Sequence, residues 1–199
     1  EGVAWYGNVL ECAKKTPESF RLLKAKAEEN ARLLLAGPTD SRTQVKLNLC
    51  LYDIVICGNK ELVLSLVAAG AKIQPKSWFS IVNNNDLEMA EVFVQVGATD
   101  VNVRDHSRYT PLINAASERL EDMVKILLSL GANPDCRTEL RFYTALKLSL
   151  RYPEIVKLLL DAGATLGHFY VKDGRIVSEE YCFEYHHESL RLLQEYQRR

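Results

Sequence analysis

The sequence predicts an all-α fold, a solenoid of about five to six helix-turn-helix repeats with short hairpin loops and terminal capping helices. Three observations predict it. Apolar, helix-patterned runs end in glycine at Gly37, Gly70, Gly97, Gly131 and Gly163, at spacings of 33, 27, 34 and 32 residues. Within the runs, apolar residues recur at i, i+3, i+4, i+7: Met89, Val92, Phe93 and Val96; Met123, Ile126, Leu127 and Leu130; Ile155, Leu158, Leu159 and Ala162. Two stretches, YTPLINAASERLEDMVKILLSLGA from Tyr109 and YTALKLSLRYPEIVKLLLDAGA from Tyr143, are variants of one pattern. A single helix pair cannot bury its apolar face, so the chain repeats the pair until neighbours cover one another.

Taken in order, TPESFRLLKAKAEENARLLLAG has a repeat's length and its terminal glycine but few of the recurring residues. Its charged stretch Lys24 to Arg32 suits a capping repeat that turns a polar face to water. Leu51, Ile54 and Val55 mark the buried face of the next first helix, with Gly58 at the turn into a second helix that exits at Gly70. Trp78, Ile81 and Val82 fill the same role in the third unit. The interval from Gly70 to Gly97 is about six residues short, and since the helices keep full length the deletion falls in the hairpin GAKIQPKSW, which should be clipped. In the fourth unit Thr110 reads as an N-cap hydroxyl and Pro111 as the first helical residue, where a missing N–H costs nothing. Leu112, Ala115 and Ala116 then form the buried face, and small residues there let the paired helix approach closely. At the C-terminal end, Leu192, Leu193 and Tyr196 keep the register, and the charged run Glu188 to Arg199 suits a second cap.

TPLINAASERLEDMVKILLSLGA resembles the ankyrin-repeat consensus, in which a TPLH-like start leads to a paired helix, a leucine run and a terminal Gly-Ala before a hairpin loop. Ile113 stands where the family has His, so that side chain's hydrogen bond to a neighbouring repeat is absent. GATDVNVRDHSRYTPL resembles the inter-repeat hairpin with one residue inserted, and YTALKLSL matches with Ala145 in place of Pro. Residues 97–165 carry the resemblance most fully and residues 45–97 in part. The resemblance implies one ankyrin-repeat domain over 1–199, with an N-terminal capping repeat in 1–40, core repeats in 41–165 and a degenerate capping repeat in 166–199.

Composition narrows the function. Lys plus Arg number 25 against 26 Asp plus Glu, so no global field draws the chain to nucleic acid or an anionic membrane. Between residues 101 and 175 the balance is 11 to 9, less positive charge than phosphate tracking needs. No apolar stretch is long enough to span a bilayer. Cys12, Cys50, Cys57, Cys136 and Cys182 are odd in number and unevenly spaced, which suits reduced thiols in the cytoplasm or nucleus better than a disulfide framework. The chain begins at Glu1 rather than Met and reads as a segment of something longer.

The resemblance implies partner binding on a concave face built from hairpin tips and the exposed side of the first helices. Register from Thr110, Thr144 and Ile176 puts Arg104, His106, Tyr109, Ser117 and Glu118 there from the fourth repeat. The fifth supplies Leu140, Arg141, Tyr143, Arg151 and Tyr152, and the last Tyr170, Lys172, Arg175 and Phe183. Arg and Tyr dominate interface hot spots, because they join large contact area to directional donors. A basic, aromatic groove favours an acidic or phosphorylated segment of a partner protein, although Glu118 and Asp173 lie within it. The expected role is an adaptor, scaffold or effector, monomeric and without a cofactor or a catalytic reaction, and delivery into a host cell is compatible with it. The alternative is a targeting or regulatory arm of an enzyme whose catalytic domain lies outside the chain.

Other chemistry has weaker support. Cys182 with His186 and His187 could share a helix face and hold a transition metal, but a structural zinc site wants four ligands, and Cys136 and His168 would have to arrive by folding. An ordinary buried thiol explains Cys182 more simply. GxGxxG and GxxxxGK[ST] are both absent. The pairs Glu28-Glu29, Glu121-Asp122 and Glu179-Glu180 suit solvated helix faces. Asn102 sits where the family's hairpin carries an asparagine open to hydroxylation, and a turn-stabilising role is the simpler account.

Overall fold

Helices form where the apolar period is helical, and they stop where a residue cannot continue it. The computed structural model describes residues 17–37, 41–98, 100–139, 143–166, 169–172, 175–178 and 187–198, of which 41–42, 169–172 and 175–178 are described by their backbone alone. The chain divides into two compact units, Glu1–Ala98 and Thr99–Arg199.

The first unit holds α1 (Pro17–Ala36), α2 (Ser41–Cys57), α3 (Lys60–Ala68), α4 (Ser77–Asn83) and α5 (Leu87–Gln95). Nothing inside α1 breaks a helix, so Pro17–Ala36 runs as one unbroken helix packed on α2 and α3. The pairs α2–α3 and α4–α5 lie side by side, α2 against α4 and α3 against α5. Leu51, Ile54, Val63, Leu66, Ile81 and Met89 are buried between them. Trp78 and Phe93, both fully buried, meet edge to face at 5.3 Å and 79°.

The second unit holds α6 (Pro111–Ser117), α7 (Glu121–Ser129), α8 (Ala145–Leu148), α9 (Pro153–Asp161), β1 (Phe169–Lys172), β2 (Arg175–Ser178) and α10 (His187–Gln197). Here α6 packs on α7 and α8, α9 on α7 and α8, and α10 on α9. Leu112, Ala115, Ala116, Met123, Leu127, Leu146, Val156, Leu159 and Leu193 form its core. Beyond the helices, β1 and β2 pair antiparallel, with Tyr170 opposite Val177 and Lys172 opposite Arg175.

The Gly-Ala endings are helix stops. At each, glycine turns left-handed, with φ of 91° at Gly70, 74° at Gly97, 83° at Gly131 and 85° at Gly163. The following alanine N–H then reaches the carbonyl five residues back: Ala71 to Leu66 and Ala98 to Phe93 at 2.9 Å, Ala132 to Leu127 at 3.0 Å, Ala164 to Leu159 at 2.9 Å. The turns between paired helices use the same device with other residues. Gly58, Asn85 and Arg119 are the left-handed positions there, with φ of 71°, 49° and 64°.

Thr110 and Thr144 cap α6 and α8 by accepting from Ile113 N at 3.3 Å and Lys147 N at 3.1 Å. Asn59 and Asp86 cap α3 and α5 in the same way. The loop from α3 to α4 is only residues 69–76, whereas the loops before α6 and α8 span 96–110 and 130–144. The clipped hairpin is therefore where the spacing predicts it. In the fifth repeat α8 has a single turn, Ala145–Leu148, and α9 begins at Pro153.

Polar side chains of a preceding loop or helix latch the loops. Asn102 accepts from Asn133 N at 2.8 Å and donates to Gly131 O at 3.2 Å. Asp135 accepts from Thr165 N at 2.8 Å. In the first unit Asn48 accepts from Lys72 N at 2.7 Å, and Gln44 donates to Gly70 O at 2.6 Å. Each latch satisfies a backbone group of the next loop that no helix or strand pairs.

Candidate functional site

In the second unit the loop before α6 is closed on Asp105. Its carboxylate accepts from Ser107 N at 2.9 Å and Tyr109 N at 2.8 Å, and its own N–H reaches Tyr109 O at 3.0 Å. The closed tip leaves Arg104, His106 and Arg108 exposed, while Tyr109 is half-buried. The next tip lies against it: Glu139 N donates to Ser107 O at 3.4 Å, and the Arg108 guanidinium stands 3.8 Å from the Glu139 carboxylate. Arg104 also donates to the buried Cys136 thiol sulfur at 3.6 Å.

Tyr143 immediately precedes Thr144, the N-cap of α8. Its N–H donates to the Thr138 hydroxyl at 3.0 Å and its carbonyl accepts from Thr138 N, also at 3.0 Å. The Lys147 ammonium lies over its ring at 5.2 Å.

Of the sequence-predicted set, Arg104, His106, Tyr109 and Tyr143 are thus brought together at the loop end of the repeats. Arg151 and Tyr152 are not. They occupy the turn between α8 and α9, which an intervening first helix separates from the loops; at about 1.5 Å per residue, α6 puts the two ends roughly 10 Å apart. Leu140 and Arg141 lie outside the described residues. Tyr170, Lys172 and Arg175 lie on the β1–β2 pair, with their side chains outside the description. Ser117 is half-buried and Glu118 exposed, beside the turn.

Sequence reasoning missed Arg119. Its guanidinium carbon sits 4.6 Å from the ring centroid of Tyr152, so the turn end carries its own cation–aromatic pair. The available signal is alignment: Arg119 stands where the earlier repeats have Gly58 and Asn85. Arg108 was missed because it adjoins the predicted Arg104 and His106 without matching a register position.

A buried polar group in the first unit is of another kind. Asp53 on α2 is only 4% exposed. Burial pushes its carboxyl up to about 7, against the lowering influence of Lys76. The Lys76 ammonium itself lies over the Tyr52 ring at 4.5 Å. Burial, then the nearby Asp53, raises the Cys50 thiol to about 12, so Cys50 stays protonated and is a poor nucleophile.

Cys182 and His186 lie outside the described residues, as does His168, while His187 is the exposed first residue of α10. Among the described residues no three His, Cys, Asp or Glu groups come together as a metal site would require. No described helix is long and apolar enough to cross a membrane.

Residues 78–170 match the family model described as ankyrin repeats in three copies. Among solved structures, the chain is similar to the ankyrin repeat domain of Bcl-3, titled a unique member of the IkappaB protein family. The two are 17% identical with a TM-score of 0.54, and the match covers 80% of each chain. At that identity the likeness shows a shared fold. No curated protein sequence matches the chain.

Proposed function

Residues 78–170 are ankyrin repeats, generally protein–protein interaction modules, and from that premise we propose that this chain binds a partner protein at the loop end of its second unit. The observation that carries the reading is the tip closed on Asp105, which holds Arg104, His106 and Arg108 exposed in one short loop. Folding gains little from three basic side chains there. A partner segment with carboxylates or phosphates meets these donors on a backbone that is already held, which lowers the ordering cost of binding.

Tyr109 and Tyr143 supply aromatic area beside those donors. Tyr152, with Arg119 and Arg151, extends the contact to the turn end when the partner segment crosses the first helices. The proposed contact set also takes in Tyr170, Lys172 and Arg175 of the β1–β2 pair. The role is recognition without catalysis, as adaptor, scaffold or effector. An intracellular setting agrees with the buried thiols of Cys50, Cys57 and Cys136, which form no disulfide among the described residues.

The test is affinity capture from cell lysate followed by mass spectrometry, with the chain and with its Tyr143→Ala, Arg151→Ala double variant. The variant should keep its helical circular dichroism and lose captured partner, by several kcal/mol at most. Equal capture by both proteins would move the interface off this surface.

A further inference from the structure

We propose that Ser107, in the tip before α6, is a phosphoryl-acceptor site for a protein kinase that reads arginine, and that its modification reverses the charge of the tip. Three observations at this position point the same way. Ser107 is exposed in a loop. Its backbone carries the contacts that hold it there, donating to Asp105 at 2.9 Å and accepting from Glu139 N at 3.4 Å, so the turn does not depend on its hydroxyl. Arg104, also exposed, stands three residues before it, and Arg108 follows it directly.

The other exposed hydroxyls among the described residues are placed differently. Ser65 and Ser129 lie within α3 and α7 and donate to Glu61 O at 2.9 Å and Ile126 O at 2.7 Å. Ser19 lies within α1. A helical backbone is committed to its own hydrogen bonds and cannot be drawn out into an active-site cleft. Thr165 is in a loop but has Ala162 three residues before it, and so offers a kinase no cation to read.

Arg104 and Arg108 outweigh Asp105 in the tip by one charge. A phosphoryl group brings about −1.5 to −2 at neutral pH, so the tip changes sign. Arg108 stands 3.8 Å from Glu139 with both side chains more than half exposed, a pair worth little in water. The adjacent phosphate competes for that guanidinium and repels the Glu139 and Asp105 carboxylates. Arg104 donates to the Cys136 sulfur at 3.6 Å, a weak acceptor that a kinase carboxylate outcompetes.

In the step itself the Ser107 hydroxyl oxygen attacks the γ-phosphorus of Mg-ATP. The new O–P bond replaces the one to the β–γ bridging oxygen, ADP leaves, and the hydroxyl proton passes to a carboxylate of the kinase. The tip has to open for this. The two side-chain bonds that close it are exposed, so it opens locally without unfolding α6. The loss of an acidic partner rests on the reading of this tip as a partner surface, whereas the acceptor site does not.

The test is to incubate the full chain with Mg-ATP and a serine kinase whose substrates carry arginine three residues before the acceptor. Mass spectrometry of the chain and its peptides should find a phosphoryl group on Ser107. Ser107→Ala should take up none, and Arg104→Ala should be modified at least about tenfold more slowly. The proposal falls if the folded chain takes up no phosphoryl group, if Ser107→Ala takes up as much as the parent, or if Arg104→Ala is modified as fast. Circular dichroism on each variant ensures that lost uptake is not lost fold. A labelled oligoglutamate peptide then reads the charge of the tip. It should bind the unmodified chain in a salt-sensitive way and lose at least about tenfold in affinity for the phosphorylated one. Equal binding to both would overturn the charge reversal. Binding to neither would sink the partner-surface reading and the switch with it, while the acceptor site stands or falls on the mass spectra.

Discussion

The side-chain amide of Asn102 is clamped to the loop of Asn133, accepting that residue's backbone N–H at 2.8 Å and donating to Gly131 O at 3.2 Å. Asp135 repeats the acceptor half of this clamp one repeat later, toward Thr165. An asparagine that uses both ends of its amide on a neighbouring backbone acts as a spacer between loops. The same contacts hold the tip residues Arg104 to Tyr109 in register with the next tip.

Asn102→Ala should therefore destabilise the second unit by about 1 kcal/mol, since both bonds are partly open to water. Asn102→Asp, which keeps the acceptor and loses the donor, should cost less. Urea denaturation of the three proteins checks the order, and an alanine variant as stable as the parent would show that the clamp is idle.

Asp53 makes stability depend on pH in an unusual direction. Its buried carboxyl titrates near 7 in the folded chain, above the 3.8 ordinary for aspartate. Between those values the folded chain keeps a proton that the unfolded chain has released. Raising pH through that window weakens the fold, and the stabilisation of the neutral form is complete only below the lower value. Asp53→Asn removes the penalty, so the variant should gain on the parent as pH rises, by about 2 kcal/mol between pH 5 and pH 8. Parallel stability curves for the two proteins across that range would place the titration elsewhere.

What was legible in the sequence was what is local. The Gly-Ala stops and the apolar period lie within single helices, so Gly70, Gly97, Gly131 and Gly163 and the faces around Trp78, Leu112 and Met123 could be read directly. The clipped loop before Ser77 followed from counting. The latches were not legible, because Asn102 and Asn133 are 31 residues apart and only stacking brings them together. Nor was the short α8, whose end at Leu148 carries no stop residue of its own. Thr144 gave the start of α8 but not its end, so the place of Arg151 and Tyr152 in the turn after α8 could not be read from the sequence.

Trp78 and Phe93 offer a direct measure of how much the first unit rests on its aromatic contact. Both are fully buried and meet edge to face. Phe93→Ala should cost about 3–5 kcal/mol, because the cavity it leaves adds to the lost transfer energy, and Phe93→Leu markedly less. Urea denaturation followed by circular dichroism gives both numbers. Equal losses for the two variants would mean that ring shape, rather than filled volume, sets the stability there.

Arg119 links the fold to the surface. Its backbone sits at φ 64° in a turn where the earlier repeats place Gly58 and Asn85, and its guanidinium is stacked on Tyr152 at 4.6 Å. A left-handed backbone costs an L side chain about 1–2 kcal/mol, and an exposed cation–aromatic contact returns about 0.5–1 kcal/mol. Arg119→Ala loses the contact and keeps the strain, so it should destabilise the second unit. Arg119→Gly loses the contact and also the strain, and should be more stable than the alanine variant by about 1 kcal/mol. Thermal denaturation of the pair isolates the backbone cost, because neither side chain reaches Tyr152. Both variants should lose the same amount of captured partner, since the guanidinium is what they share the lack of. An alanine variant at least as stable as glycine would contradict the left-handed turn, and undiminished capture would remove Arg119 from the binding surface.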